Sequence, residues 1–192
     1  ATKEIDRDLK ERTGSSWLVS VFHDNAGVVA FDDRAHLVYK VETHNSPSNM
    51  EAYGGAITGI VGVYRDPLGT GKGARLIMGS YGYCVGPRDY DGELKPHLHP
   101  RRLLDGVIEG VRDGGNKSGI PTTFGQVYFD RGYLGKCLVF VTALGLMPAR
   151  IRSEPAEIKR TSPGDLVIMC GGRVGKDGIH GVTACSEPFS EN

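Results

Sequence analysis

Apolar residues recur along this chain in two rhythms. Leu103, Leu104, Val107, Ile108 and Val111 fall at helical spacing and predict an amphipathic helix over residues 101–114. Elsewhere apolar residues come in short β-branched and aromatic runs. Ser16-Trp17-Leu18-Val19-Ser20-Val21-Phe22 reads as a strand, and Asp24-Asn25-Ala26-Gly27 as the turn that follows it. Residues 28–31 and 37–41 flank the polar tip Asp32-Asp33-Arg34, which is the pattern of a hairpin. Further strands are expected over residues 74–85, 120–129, 137–146 and 165–170, with Gly135 and Pro148 bounding the third of these.

Two segments lack a single clean rhythm. Residues 3–12 are dense in both charges with Ile5 and Leu9 one turn apart, which predicts a short, solvated helix. Residues 49–63 place small residues on one side and Met50, Ile57, Ile60 and Val61 on another. That predicts a glycine-rich helix lying close against a sheet, with Ser48 or Asn49 as N-cap and Pro67 as its stop. Residues 87–100 read as a polar loop. Strands alternating with helices make this an α/β (α+β) layered domain, and 192 residues suffice for one core.

Composition changes the picture at one point. Apolar residues make up 39% and charged residues 24%, with 23 basic and 23 acidic side chains. This balance provides no field for nucleic acid or an acidic membrane surface. Glycine, however, is 28 of 192 residues, about twice its usual share, and clusters where backbone must turn or approach something closely. Cys84, Cys137, Cys170 and Cys185 form no CxxC pair and lie in or beside apolar runs. Buried thiols in a reducing, cytoplasmic compartment are the expectation. The chain opens on Ala1 and closes on Pro188-Phe189-Ser190-Glu191-Asn192, so a piece of a longer chain is expected.

Candidate chemistry concentrates in Lys40-Val41-Glu42-Thr43-His44-Asn45-Ser46-Pro47-Ser48, at the end of an apolar strand, and in Arg65-Asp66 beyond the glycine-rich segment. Glu42 and Asp66 offer hard oxygen ligands for Mg²⁺. Lys40 and Arg65 offer cations for phosphate oxygens, and His44 an imidazole for proton transfer. Taken singly, each residue better fits a strand end with an ion pair and a capping serine; together they better fit a site for a metal-bound phosphate. A second cluster, Gly171-Gly172-Arg173-Val174-Gly175-Lys176-Asp177-Gly178, suits either an anion cradle built on Arg173, Gly175, Lys176 and Gly178 or a surface loop. His97 and His99 lack an obvious third ligand and are set aside.

The order of these motifs resembles the phosphoribosylformylglycinamidine synthase family of the aminoimidazole ribonucleotide synthetase-like superfamily. The resemblance rests on residues 40–48, on Tyr53-Gly54-Gly55-Ala56 and on Arg65-Asp66. Asp24-Asn25-Ala26-Gly27, Gly119-Ile120-Pro121-Thr122 and Asp177-Gly178-Ile179-His180-Gly181 extend it. It implies the superfamily's N-terminal domain over residues 1–192, with residues 1–23 a poorly matched leader. The fold implied is a mixed β-sheet flanked by helices, two such sheets pairing into a barrel in a homodimer or pseudo-dimer.

The implied reaction is ATP- and Mg²⁺-dependent conversion of formylglycinamide ribonucleotide to its amidine in purine biosynthesis. Ammonia would come from a glutaminase subunit or domain, and further ligands from a C-terminal synthetase subdomain. By position, Lys40 would contact ATP, Glu42 and Asp66 would hold Mg²⁺, and His44 would accept a proton. Thr43, His44, Asn45, Ser46 and Arg65 would line the substrate. Ser46 stands where the family has a second histidine, Val61-Gly62 where it has a glycine pair, and residues 1–23 supply no clear match to an upstream catalytic histidine and tyrosine. The isolated chain is therefore expected to be inactive. Two other readings are a non-catalytic nucleotide-binding and dimerisation module and another ATP-dependent member of the superfamily.

Overall fold

The hairpin expected around Asp32-Asp33-Arg34 is the start of the sheet. In the computed structural model, which describes residues 2–95, 97–173 and 175, β2 (Gly27–Ala30) pairs antiparallel with β3 (Ala35–Thr43). The Asp32 carboxylate accepts hydrogen bonds from Arg34 N at 2.9 Å and Ala35 N at 2.7 Å, which closes the tip. Before the hairpin come α1 (Thr2–Thr13), which buries no residue, and β1 (Leu18–Ser20). β1 is shorter than the expected run over 16–22. Phe22 takes a φ of 61°, in the left-handed region, and so ends the extended backbone.

After β3 the chain forms α2 (Asn45–Met50), α3 (Ala52–Gly69), β4 (Arg75–Val85), α4 (Pro100–Ser118), β5 (Thr122–Phe129) and β6 (Leu138–Pro148). A small hairpin, β7 (Arg150–Ile151) with β8 (Glu154–Pro155), follows. The six main strands lie in the order β1-β2-β3-β6-β4-β5; β4 and β5 are parallel across the α4 connection and the other pairs antiparallel. This is the expected mixed sheet flanked by helices.

Two local expectations need correcting. The glycine-rich segment is not one helix capped by Ser48 or Asn49. It breaks at Glu51, whose extended backbone and carboxylate, accepting from Gly54 N, cap a new helix. Ser48 instead lies inside α2, its hydroxyl donating to the His44 carbonyl at 2.6 Å. Pro67 does not stop α3 either. The helix runs on to Gly69, and Thr70 N donates back to the Pro67 carbonyl at 3.2 Å. A proline in the last turn costs one backbone bond there and leaves the remaining turns untouched.

α3 and α4 cover one face of the sheet. Ile60, Val63, Leu104 and Val107 meet Tyr81, Tyr83, Val85, Val139, Val141 and Ala143 in the main core. Each such fully buried aliphatic side chain contributes about 1.5–3 kcal/mol relative to exposure. The helices approach along Gly106, Gly110 and Gly114 of α4. A Cβ at Gly110 would press into the Tyr53 carbonyl oxygen, and one at Gly106 would lie 2.7 Å from Ala52 Cβ. A smaller cluster of Ala26, Val28, Val38, Met147 and Ala156 fills the end near the β7–β8 hairpin. On the opposite face of the sheet Tyr39, Val41, Phe124, Tyr128 and Phe140 are between 37% and 58% exposed, and no helix among the described residues covers them.

Residues 160–192 form a second unit, separate from residues 1–159. Its described residues carry no helix or strand, so the strand expected over 165–170 is absent. Leu166, Val167, Ile168 and Met169 are all exposed. An extended apolar run becomes a strand only when its backbone finds a pairing partner, and the described residues of this unit offer none. Among the described residues no helix is long and apolar enough to cross a membrane.

Candidate active site

Core packing fades along β3, and the candidate site begins where it does. Val38 is completely buried; two and four residues on, Lys40 and Glu42 project from the same face with side chains 23% and 47% exposed. Opposite them across the ladder stand Ala143 and Val141 of β6, too small to cover two polar side chains. Above them passes the last part of α3, which brings in Asp66.

The three charges meet at one point. Lys40 Nζ lies 2.9 Å from Asp66 Oδ2 and 3.2 Å from Glu42 Oε2. Burial disfavours the Lys40 ammonium, but its hydrogen bonds to Asp66 and Glu42 outweigh that cost and hold its pKa above the ordinary lysine value. Two carboxylate oxygens thus converge on a cation, as they would on a metal ion. Among the described residues no group of three or more His, Cys, Asp or Glu side chains could hold a metal. A pair of carboxylates nevertheless fits Mg²⁺, which keeps several waters and completes its shell from phosphate oxygens.

His44 sits at the exit from β3, and α3 sets its position. A Cβ at Gly59 would lie 2.8 Å from His44 Cβ and 3.0 Å from Cγ, so only glycine admits the imidazole here. Gly55, one turn earlier, does the same for the backbone of Pro47 and Ser48. Packed in this way, His44 Nδ1 is buried with no hydrogen-bond partner among the described residues. That leaves Nε2 as the ring nitrogen able to exchange a proton.

The remaining motif residues are divided by the structure. Asn45 spends its carbonyl on the scaffold: Oδ1 accepts from Val139 N at 2.8 Å, beside the bond from His44 N to Val139 O. Asn49, one turn on, accepts from Cys137 N at 3.0 Å. Together they fasten α2 to β6. Ser46 is only 7% exposed in the first turn of α2. Thr43 is exposed at the end of β3, where strand alternation turns it to the face opposite Lys40 and Glu42. Arg65 is exposed on α3 next to Asp66. Val61 points outward, and a Cβ at Gly62 would meet nothing within 4 Å, so helix packing does not depend on a glycine pair there.

Arg173 and Gly175 of the second cluster are exposed in the second unit, while Lys176 and Gly178 lie outside the described residues. Cys137 is buried and its thiol is pushed up to about 12 by that burial, which makes it inert. Cys170 is exposed, against expectation, because the strand meant to bury it does not form. His99 caps α4: Nδ1 accepts from Arg101 N at 3.2 Å, so the Nε2–H donates to Tyr90 O at 2.8 Å. A cavity of about 550 Å³ lies by the end of α4 between Tyr81, Arg112, Asn116 and Thr122. Its lining includes none of Lys40, Glu42, His44 or Asp66, and the convergence of charge outweighs cavity size in placing the site.

A mixed sheet covered by two helices, with a carboxylate pair and an imidazole at the end of its third strand, defines a class. Residues 23–147 match the family described as AIR synthase related protein, N-terminal domain, and the chain belongs to that family. It is 40% identical over 182 residues to the phosphoribosylformylglycinamidine synthase subunit PurL of Thermoplasma acidophilum, covering 93% of this chain and 23% of that protein. The chain therefore spans less than a quarter of that relative's length. PurL of Thermotoga maritima complexed with ADP superposes with a TM-score of 0.56 at 33% identity, over 69% of this chain and 20% of that one. The same protein complexed with FGAR gives 0.55 at 29% identity, over 76% and 26%.

Proposed function

We propose that this chain supplies the N-terminal catalytic half of an ATP-dependent, amidine-forming synthase acting on formylglycinamide ribonucleotide in purine biosynthesis. One observation carries the reading: Glu42 Oε2 and Asp66 Oδ2 converge on a single cationic point, and two residues beyond Glu42 the chain presents an imidazole wedged against α3. Kinship to PurL, whose solved forms include complexes with ADP and FGAR, supports the substrate classes.

In this reading Glu42 and Asp66 hold Mg²⁺, which when bound neutralises charge at the transferring phosphoryl group. Lys40 contacts ATP phosphate oxygens, and Arg65, exposed beside Asp66, orients the substrate. The glycinamide oxygen of the substrate takes the γ-phosphoryl group as ADP leaves, and loss of the amide N–H proton gives an iminophosphate. Ammonia delivered by a glutaminase partner adds to the carbon, and phosphate leaves with the former amide oxygen. His44 accepts the proton that the attacking nitrogen gives up, through Nε2. Asn45 and Ser46 act chiefly by shaping the turn that presents His44. The sheet face bearing Tyr39, Val41, Phe124, Tyr128 and Phe140 packs on a second sheet of the same kind, from another domain or another copy.

The test is phosphate release dependent on both ATP and formylglycinamide ribonucleotide, from this chain assembled with a C-terminal synthetase subdomain and a glutaminase. The chain alone should release none. His44→Ala in the assembly should lower turnover by about 10²–10⁴-fold, the usual share of a general base. Unchanged turnover would remove His44 from the mechanism, and an assembly that binds nucleotide without turnover would favour the non-catalytic module.

A further inference from the structure

Lys40 occupies the place that the proposed function gives to a metal ion. Its ammonium sits between Asp66 Oδ2 and Glu42 Oε2 at 2.9 and 3.2 Å, and it is the only side chain paired with either carboxylate among the described residues. A divalent ion bound to the same two oxygens at about 2.0–2.1 Å would lie within a few ångströms of that ammonium, where like charges repel strongly. The two cations cannot share the carboxylates. Lys40 springs from β3 on a flexible four-carbon stem and is 23% exposed, so its head group can leave without any movement of the backbone.

We propose that Lys40 is an exchangeable internal cation: it holds Glu42 and Asp66 together until Mg²⁺ takes its place, and the displaced ammonium then passes to the phosphates that arrive with the ion. This rests on the assignment of Glu42 and Asp66 as metal ligands and adds a rule of entry to it. Free Mg²⁺ must expel an ammonium that finds no new partner, and so binds weakly. Mg²⁺ carried by a nucleoside triphosphate brings the replacement partner with it, and every charge ends paired. The site would thereby select the metal–nucleotide complex over the bare ion.

The test is calorimetric titration of this chain with MgCl₂ alone, compared with Lys40→Met, which keeps the aliphatic stem and removes the charge. Removing the internal competitor should tighten Mg²⁺ binding by about tenfold or more and make the melting temperature of the variant far more responsive to Mg²⁺ than that of the parent. Binding that is unchanged or weaker in Lys40→Met, while Asp66→Asn still lowers it, overturns the exchange but leaves the metal assignment standing. If neither chain binds Mg²⁺ and Asp66→Asn alters nothing, the metal assignment falls and the exchange with it. Should Lys40→Met fail to fold, acylation of Lys40 in the parent chain, read by mass spectrometry, serves instead. Saturating Mg²⁺ should raise its labelling rate, and a rate that does not move overturns the proposal.

Discussion

Helix α3 is crossed by two close contacts that look alike in sequence and do different work. On one side it presents Ala52, Tyr53, Ala56 and Ile57 to Gly106, Gly110 and Gly114 of α4. On the other, its own Gly55 and Gly59 admit Pro47, Ser48 and His44 from the α2 turn. The first contact joins two long helices over an aliphatic core and is purely structural. The second leaves at its centre a buried imidazole nitrogen unpartnered among the described residues, an arrangement that costs stability and is tolerated where chemistry needs it. Small residues allow close approach in both places; what sits across from them decides whether the result is a core or a site.

Substituting glycines one at a time separates the two contacts. Gly110→Ala should be the most damaging, because its new Cβ meets the Tyr53 carbonyl, which belongs to a helix that cannot yield. A loss of about 1–3 kcal/mol in denaturant unfolding is expected, with any loss of function tracking stability alone. Gly59→Ala meets His44 at its Cβ and Cγ, the root of the side chain, and should cost about 1–2 kcal/mol. It should nonetheless displace the His44 ring, seen as a shifted imidazole resonance by NMR, and depress turnover of the assembled enzyme far more than stability explains. If the two variants lose function in equal proportion to stability, the distinction between the contacts is wrong. Gly62→Ala, facing open space on α3, should stabilise by about 0.5–1 kcal/mol through helix propensity and leave the His44 resonance in place.

Much of this was legible from residue order, and the failures share a cause. The hairpin at Asp32, the amphipathic α4 and the strands β4, β5 and β6 all follow local rules of spacing and turn chemistry. So does the meeting of Lys40, Glu42 and Asp66, since alternation puts the first two on one face and a charged helix end lies nearby. What escaped depended on partners distant in sequence. The glycines of α4, four residues apart, were visible as a pattern, but their role appears only once α3 lies against them. Asn45 is given to the substrate by resemblance alone; that its oxygen also accepts from Val139 N, ninety-four residues away, shows only in the folded chain. The break at Glu51 was hidden because glutamate is an uncommon N-cap. The run over 165–170 failed as a strand for want of a neighbour, which no property of the run itself could reveal.

The two amides that fasten α2 have a consequence for transplanting this site. Asn45 and Asn49 stand in for backbone, accepting from Val139 and Cys137 N–H groups just as a neighbouring strand would. The nine residues from 40 to 48 therefore carry only part of their own geometry. A graft of that segment into another scaffold would bring the reactive groups but leave the direction of the chain after His44 undefined. The smallest portable piece is a strand pair, the short helix pinned across its end and the stretch of α3 that brings Asp66: a joint with its pins.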